Sequence, residues 1–356
     1  DIMNLHFSDV KIVMQNQQQF SRWIEQSLPD GVDIQRPMRL DALAGDAGFR
    51  RYYRTNTYPA LIAVDSPPAK EKNWAYVDIS LFLKSQGIKT PKIHAVNFEL
   101  GYFLLEDFGP VLFAQNIEKN GKDHLYDQAE QALLQIQQAT EATPSIPCHD
   151  EDKLHEEMAL FERWFLNELL EVKLNDSEKK QLNSLFQSLI ESALEQPQVM
   201  VHTDYHSRNL MILADETLGV IDFQDAMYGA ITYDLVSLLK DCYVKWPSDW
   251  VAMRVASFKQ HPEVAARLDS VDDKQFAQWF DFMGLQRHIK VLGIFARLAL
   301  RDSKSRYLND LPLVIDYCLE ASERYPQTLP FNHWFKQKIM PLVIKMPWYK
   351  IPSGDC

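Results

Sequence analysis

The stretch VHTDYHSRNLMILADETLGVIDFQDA, residues 201–226, places two histidines, an asparagine and several acidic residues between short runs of Val, Ile, Leu and Met. The runs VMVH, LMIL and LGVI read as small strands with loops at their ends. The polar residues therefore fall on loops held by a hairpin. Asp204 and Asn209 stand in a D-x-x-x-x-N spacing, and Asp222 closes LGVI. Phosphoryl transfer needs such a set: a carboxylate to orient the attacking hydroxyl and take its proton, with an amide and a second carboxylate to hold Mg²⁺ on nucleotide phosphates. Hard Mg²⁺ takes oxygen donors, which Asn and Asp supply. A lone Asp beside a turn is more often a turn or cap residue. Here the two acids and the amide each adjoin a predicted strand, and Asp234 follows in TYDLVSLL. A transition-metal site from His202, His206 and Asp204 is the competing reading, but no further His or Cys follows nearby.

Composition limits the partners. The chain has 356 residues, 46% of them hydrophobic, enough to fill a sizeable core in two domains or one large bilobal one. A formal net charge of −12 offers no broad cationic surface, so neither nucleic acid nor an anionic membrane is an expected partner. A small-molecule substrate fits better, and no obligate protein partner is evident. The four cysteines, Cys148, Cys242, Cys318 and Cys356, are widely spaced without a C-x-x-C pair, which favours a reducing cytoplasm over a disulfide or zinc framework. The N-terminus lacks the pattern of a targeting signal, and no apolar run reaches the roughly 18 residues of a membrane span.

The first third of the chain differs in texture from the rest. FRRYYRT, ALIAV and GYFLLED read as strands, and WAYVDISLFLKSQG between them reads as a helix. After residue 122 the pattern is mostly helical. Leu182, Leu185, Phe186, Leu189, Ile190 and Ala193 form a core stripe with Asp176 and Ser177 as available N-caps, and FDFMGLQRHIKVLGIFARLAL predicts a long, largely buried helix. TEATPSIPCHDED, 140–152, reads as an exposed loop.

HTDYHSRN and IDFQDA together resemble the catalytic loop and metal-binding segment of the aminoglycoside phosphotransferase and choline kinase superfamily, relatives of the protein kinases. The resemblance implies an α+β, bilobal, protein-kinase-like fold: a small sheet-containing N-terminal lobe, 1–107, and a mainly helical catalytic and substrate-binding lobe, 108–356, with ATP between them. It also implies Asp204 as catalytic base, Asn209 and Asp222 as Mg²⁺ ligands, His202 as a loop anchor and Asp234 as the acid that holds the loop backbone. LLEDFG, 104–109, resembles the hinge, where main-chain groups near Glu106 and Asp107 would bond adenine. AGDAGFRRYYR, with Gly45 and Gly48, stands at the phosphate-covering loop.

The chain departs from the family pattern at one place. Asp65, in IAVD, occupies the apparent position of the strand lysine. Positive charge on the phosphates must then come from elsewhere, with Arg50 and Arg54 on one strand face, or Lys70 and Lys72 after the SPP turn, as candidates. A narrower likeness, through FRRYYR, DSPPAKE, FLLEDFG, HTDYHSRNLM and the segment up to VIDYC, is to the bacterial anomeric kinases of N-acetylmuramate and N-acetylglucosamine. It implies ATP-dependent phosphorylation of an amino sugar's anomeric hydroxyl in cell-wall recycling. His206, Arg208 and Asp225 are candidates for contacting the sugar, with Asp241, Arg287 and His288 weaker ones. A kinase of an aminoglycoside or choline-like amine, and a nucleotide-binding pseudokinase, are the alternative readings.

Overall fold

The computed structural model describes residues 7–43, 48–117, 122–138 and 145–350, with side chains from Gln17 onward. The first unit is built on a five-stranded antiparallel sheet. Its strand order is Leu40–Ala42, Arg51–Thr55, Leu61–Asp65, Tyr102–Glu106, Ile93–Asn97. Alternation along the strands sends Leu61, Ala63, Tyr102 and Leu104 to one face, where Phe20 and Ile24 of the helix Phe7–Gln26 cover them. Burial of a large apolar side chain such as Leu61, Leu104 or Ile24 contributes about 1.5–3 kcal/mol. The helix Asn73–Ser85 brings Tyr76 against Phe103, ring centroids 5.5 Å apart. The three expected strands and the expected helix all form, within a residue or two of their predicted ends.

The unit boundary differs from the expected one at 107. The first unit runs to Val111 and takes in Met211–Gln224, whereas Leu112–Leu210 and Asp225–Cys356 form the second. Close packing explains the hairpin's allegiance. A Cβ on Gly219 would lie 2.6 Å from the Phe108 ring, so only glycine lets the hairpin meet that ring. The Val220 N–H donates to the Lys89 carbonyl at 2.8 Å, and Lys89 Nζ reaches Asp215 at 2.6 Å and Thr217 at 2.7 Å.

The second unit is mainly helical. The predicted apolar stripe lies on Asp176–Leu194, but Asn175 caps it, in a reciprocal capping box with Glu178, one residue ahead of the expected caps. The long buried helix is Asp273–Leu300. It crosses Glu151–Leu160 so closely that a Cβ on Gly293 would lie 2.4 Å from the Leu160 backbone. The strand Gln198–Val201 pairs antiparallel with Met227–Ala230, Met227 opposite Val201. That pairing fixes where the loop after Val201 begins. Among the described residues no helix is long and apolar enough to cross a membrane.

Candidate active site

The loop after Val201 is held from beneath by one carboxylate. Asp234, fully buried at the start of the helix Tyr233–Leu239, accepts the N–H of His202 at 2.6 Å and of Thr203 at 3.0 Å. Thr203 has φ 76°, a left-handed conformation that a β-branched side chain disfavours. Burial pushes the Asp234 carboxyl up to about 7, against the pull of the two N–H donors. His202 Nδ1 accepts the Asp204 N–H at 3.3 Å, so its ring proton belongs on Nε2. Asn209 Nδ2 donates to the Asp204 carbonyl at 3.0 Å, which commits the donor end of the amide to the loop and leaves Oδ1 as the atom able to ligate a cation. Tyr205, beneath the loop, bonds the Ala129 carbonyl at 2.8 Å.

Asp204 itself is partly exposed on this loop. Burial raises its carboxyl, but Lys290, followed by His206, Arg287 and His202, outweighs that effect and holds it below the usual 3.8. It is therefore ionised throughout the neutral range. Lys290 is kept in place by Glu157 at 3.1 Å and the Tyr233 hydroxyl at 3.0 Å. An ionised carboxylate on a braced loop can accept a proton from a hydroxyl brought within hydrogen-bond reach.

The outer part of the loop is fixed by Asp241. This buried carboxylate accepts both the N–H and the hydroxyl of Ser207 through Oδ2, and the Tyr243 N–H at 3.0 Å through Oδ1. Tyr243 thereby lies under Arg208, whose guanidinium carbon is 3.4 Å from the ring centroid, and beside His206, centroids 5.3 Å apart. Asp225 meets the loop through its carbonyl, 3.5 Å from the Thr203 hydroxyl. Arg287 and His288 are buried and structural: Arg287 faces the Cys242 sulfur at 3.5 Å, and His288 Nε2 meets the Lys240 carbonyl at 2.9 Å while stacking on Tyr317. They and Asp241 hold helices and turns, the structural role favoured for these three residues over contact with a sugar.

In the first unit, Asp222 has φ 64° and accepts from Gln224 Nε2 at 2.7 Å. Phe223 beside it stacks on Tyr76, centroids 5.0 Å apart. Near Tyr76 lies Arg50, 8% exposed, its guanidinium 5.1 Å from that ring. Arg50 Nε donates to the Ser66 hydroxyl at 3.1 Å and faces Glu71 at 3.6 Å, while its Nη2 is buried without a partner. Burial pushes Tyr52 up to about 12, with Arg50 opposing and Asp222 adding to the effect, so cation, phenol and carboxylate share one electrostatic neighbourhood. Glu71 also accepts the Phe49 N–H at 2.7 Å, tying the turn at Gly48 to the segment before the Asn73–Ser85 helix.

The other cations divide differently. Arg54 is committed to Asp107, at 2.5 and 3.0 Å, and Asp107 in turn accepts the Gly109 N–H at 2.9 Å. Lys70 lies over the Phe49 ring at 4.4 Å, and Lys70 and Lys72 are both exposed. Asp65 pairs in register with Arg51 and supplies no positive charge. The Glu106 N–H, one of the groups expected to meet adenine, already donates to the Lys92 carbonyl at 2.9 Å. Gly45 lies outside the described residues.

Among the described residues no cluster of three or more His, Cys, Asp or Glu could hold a metal ion. This argues against the His202, His206 and Asp204 site. An amide and a carboxylate suit Mg²⁺ instead, since that ion keeps waters and phosphate oxygens in its shell rather than taking a full protein cage.

A model of the phosphotransferase enzyme family matches residues 39–269, a span that holds Arg50, Asp204, Asn209, Asp222 and Asp234. The chain belongs to that family. Relatives described as N-acetylmuramate/N-acetylglucosamine kinases include one from Pseudomonas putida, 38% identical, with 81% of this chain and 85% of that protein covered. Another, from Pseudomonas aeruginosa, is 35% identical, covering 87% and 93%. Among solved structures, the choline kinase LicA from Streptococcus pneumoniae is similar at TM-score 0.59 and 14% identity, over 85% of this chain and 99% of that one. An ADP-bound aminoglycoside phosphotransferase is similar at TM-score 0.55 and 13% identity, over 85% and 98%. The fold is thus the α+β kinase-like fold, and the protein is a phosphotransferase.

Three residues that brace these two arrangements were not singled out in the sequence. Lys290 was hidden in an apolar helix, where a lone lysine among buried residues is itself the signal of an internal ion pair. Tyr243 and Glu71 carry no such signal, because their roles arise only when distant turns meet.

Proposed function

We propose that this phosphotransferase transfers the γ-phosphoryl group of ATP, with Mg²⁺, to the anomeric hydroxyl of an N-acetylated amino sugar, N-acetylglucosamine or N-acetylmuramate. The observation that carries the substrate is the identity of 38% and 35% to two kinases of those sugars over more than four-fifths of the chain. The likeness to aminoglycoside and choline kinases, at 13% and 14% identity, supports the fold alone.

In this reading Asp204 orients the anomeric hydroxyl and takes its proton as the new oxygen–phosphorus bond forms. The bond from the γ-phosphorus to the bridging oxygen breaks, ADP leaves, and Asp204 returns the proton to solvent. Asn209 Oδ1 and the Asp222 carboxylate are the groups that would hold Mg²⁺, which would neutralise phosphate charge. Arg50, with one donor nitrogen buried and unpaired, supplies the positive charge that the missing lysine does not. Arg54, already neutralised by Asp107, contributes to the shape of the hinge segment. His206, Arg208 and Asp225 face the sugar. The reaction belongs to a reducing cytoplasm, where ATP is available.

Mass spectrometry of reactions with ATP, Mg²⁺ and a panel of amino sugars tests this directly. The expected product is a sugar 1-phosphate from the free sugar and none from its methyl glycoside, whose anomeric oxygen has no proton to give. Equal phosphorylation of the methyl glycoside would place transfer at another hydroxyl.

A further inference from the structure

We infer that Arg208, laid flat on Tyr243, reads an acidic substituent of the acceptor and makes the enzyme favour a carboxylate-bearing amino sugar over its neutral counterpart. The inference rests on the amino-sugar kinase reading above and adds to it which group separates the two sugars.

Arg208 stands between the proposed base, Asp204, and the proposed metal ligand, Asn209, on the same braced loop. One face of its guanidinium is covered by the Tyr243 ring at 3.4 Å, so the group is held in a plane while its donors point outward along the edges. Among the described residues no side chain accepts a hydrogen bond from it, and no carboxylate lies within ion-pair distance. Asp310 acts on it from further off and is itself raised by burial. Against the same Tyr243 ring lies His206, 8% exposed, whose Nδ1 is buried without a partner. Two polar groups thus converge on one aromatic platform with hydrogen-bonding capacity unused. The platform is itself fixed by Asp241, which bonds both Ser207 and the Tyr243 N–H.

Muramate differs from glucosamine by a lactyl ether that ends in a carboxylate. A chain of net charge −12 repels such a substrate at long range, so a local cation is needed to capture it. A planar guanidinium matches a carboxylate with two parallel hydrogen bonds. The degree of exposure also matters. A fully buried cation would be left unpaired, at large cost, whenever the neutral sugar is bound. Arg208 is only half-buried, so water can serve its donors when the acceptor lacks a carboxylate. One site can then accept both sugars while favouring the acid.

The test compares N-acetylmuramate with its lactyl carboxamide, alike in shape and differing in charge, in the wild-type enzyme and in Arg208→Gln and Arg208→Lys. The wild type is expected to prefer the acid in kcat/KM by about 10- to 100-fold, the range of hydrogen bonds to charged groups. Arg208→Gln should reduce that ratio to near one, and Arg208→Lys should restore part of it. Calorimetric titration of the two ligands reads the same contrast without turnover, and circular dichroism confirms that each variant is folded. A wild-type enzyme that does not distinguish acid from amide, or a ratio that survives in Arg208→Gln, overturns the inference while leaving the kinase intact. Failure of every amino sugar to be phosphorylated or bound overturns the underlying reading instead.

Discussion

The Asp234 carboxylate catches two consecutive backbone N–H groups, those of His202 at 2.6 Å and Thr203 at 3.0 Å, and Thr203 is held at φ 76°. A left-handed β-branched residue costs on the order of 1–3 kcal/mol and persists only when its surroundings impose it. Two hydrogen bonds to one buried acid can do so. Asp234→Asn leaves one acceptor oxygen and turns an NH₂ toward the second N–H, so the loop should relax. We expect kcat to fall by at least about tenfold, with a loss of about 1.5–3 kcal/mol in denaturant unfolding. A variant with wild-type kcat would show that the loop holds its shape without this acid.

Much of this site was legible in the sequence because its chemistry is local. The short apolar runs on either side placed Asp204 and Asn209 on one loop, while the roles of His202 and of Asp234 on the next helix were implied by the resemblance to the kinase superfamily. The different surroundings of Arg50 and Arg54 were not legible. Both lie at the Arg51–Thr55 strand or just before it, and only three-dimensional packing shows Arg54 spent on Asp107 and Arg50 turned inward to Ser66 and Tyr76. The hairpin's place in the first unit was not legible for a similar reason. The match of Gly219 to the Phe108 ring joins segments about a hundred residues apart, and no periodicity records it.

Lys290 is expected to set the acid limit of activity. Asp204 must be ionised to act, and its carboxyl is held below 3.8 chiefly by Lys290 against the effect of burial. Activity governed by this group is present above its folded-state pKa and lost as pH falls through it, so the wild-type loss lies below 3.8. Lys290→Gln removes the largest downward influence, and the acid limb of the kcat–pH profile should move to higher pH. The same change leaves Glu157 with His149, 3.0 Å away, and Gln286, 3.4 Å away, as its remaining partners, and should lower stability by about 3 kcal/mol. An acid limb that does not move would assign the low carboxyl to other groups.

Arg50→Gln should raise the KM for ATP and lower kcat together, each by about tenfold or more, since phosphates need the charge in both ground and transition states. Arg54→Gln should change ATP kinetics less, because its guanidinium is already paired with Asp107. If Arg54→Gln has the larger effect on ATP, the two assignments are reversed.

Asp222 combines a left-handed backbone with the proposed Mg²⁺ role. Asn tolerates that conformation nearly as well as Asp, so Asp222→Asn isolates the charge from the backbone. We expect a thermal midpoint close to wild type, turnover reduced by at least about 100-fold, and a higher Mg²⁺ concentration at half-maximal rate. Normal turnover at saturating Mg²⁺ would remove Asp222 from the metal site.

Asp204→Asn keeps the size of the side chain and the Asp204 carbonyl that receives Asn209, so the loop should keep its shape. Asn cannot take the hydroxyl proton. General-base contributions are typically about 10²–10⁴-fold, and an anomeric hydroxyl is more acidic than an ordinary sugar alcohol, which places the expected loss in kcat at the low end. Nucleotide binding should survive, because the proposed metal ligands and Arg50 remain. The pH profile separates this role from a merely structural one: the residual activity of Asp204→Asn should rise with pH as hydroxide or the ionised sugar replaces the missing base. A variant with full kcat and an unchanged profile would mean that the proton leaves by another route.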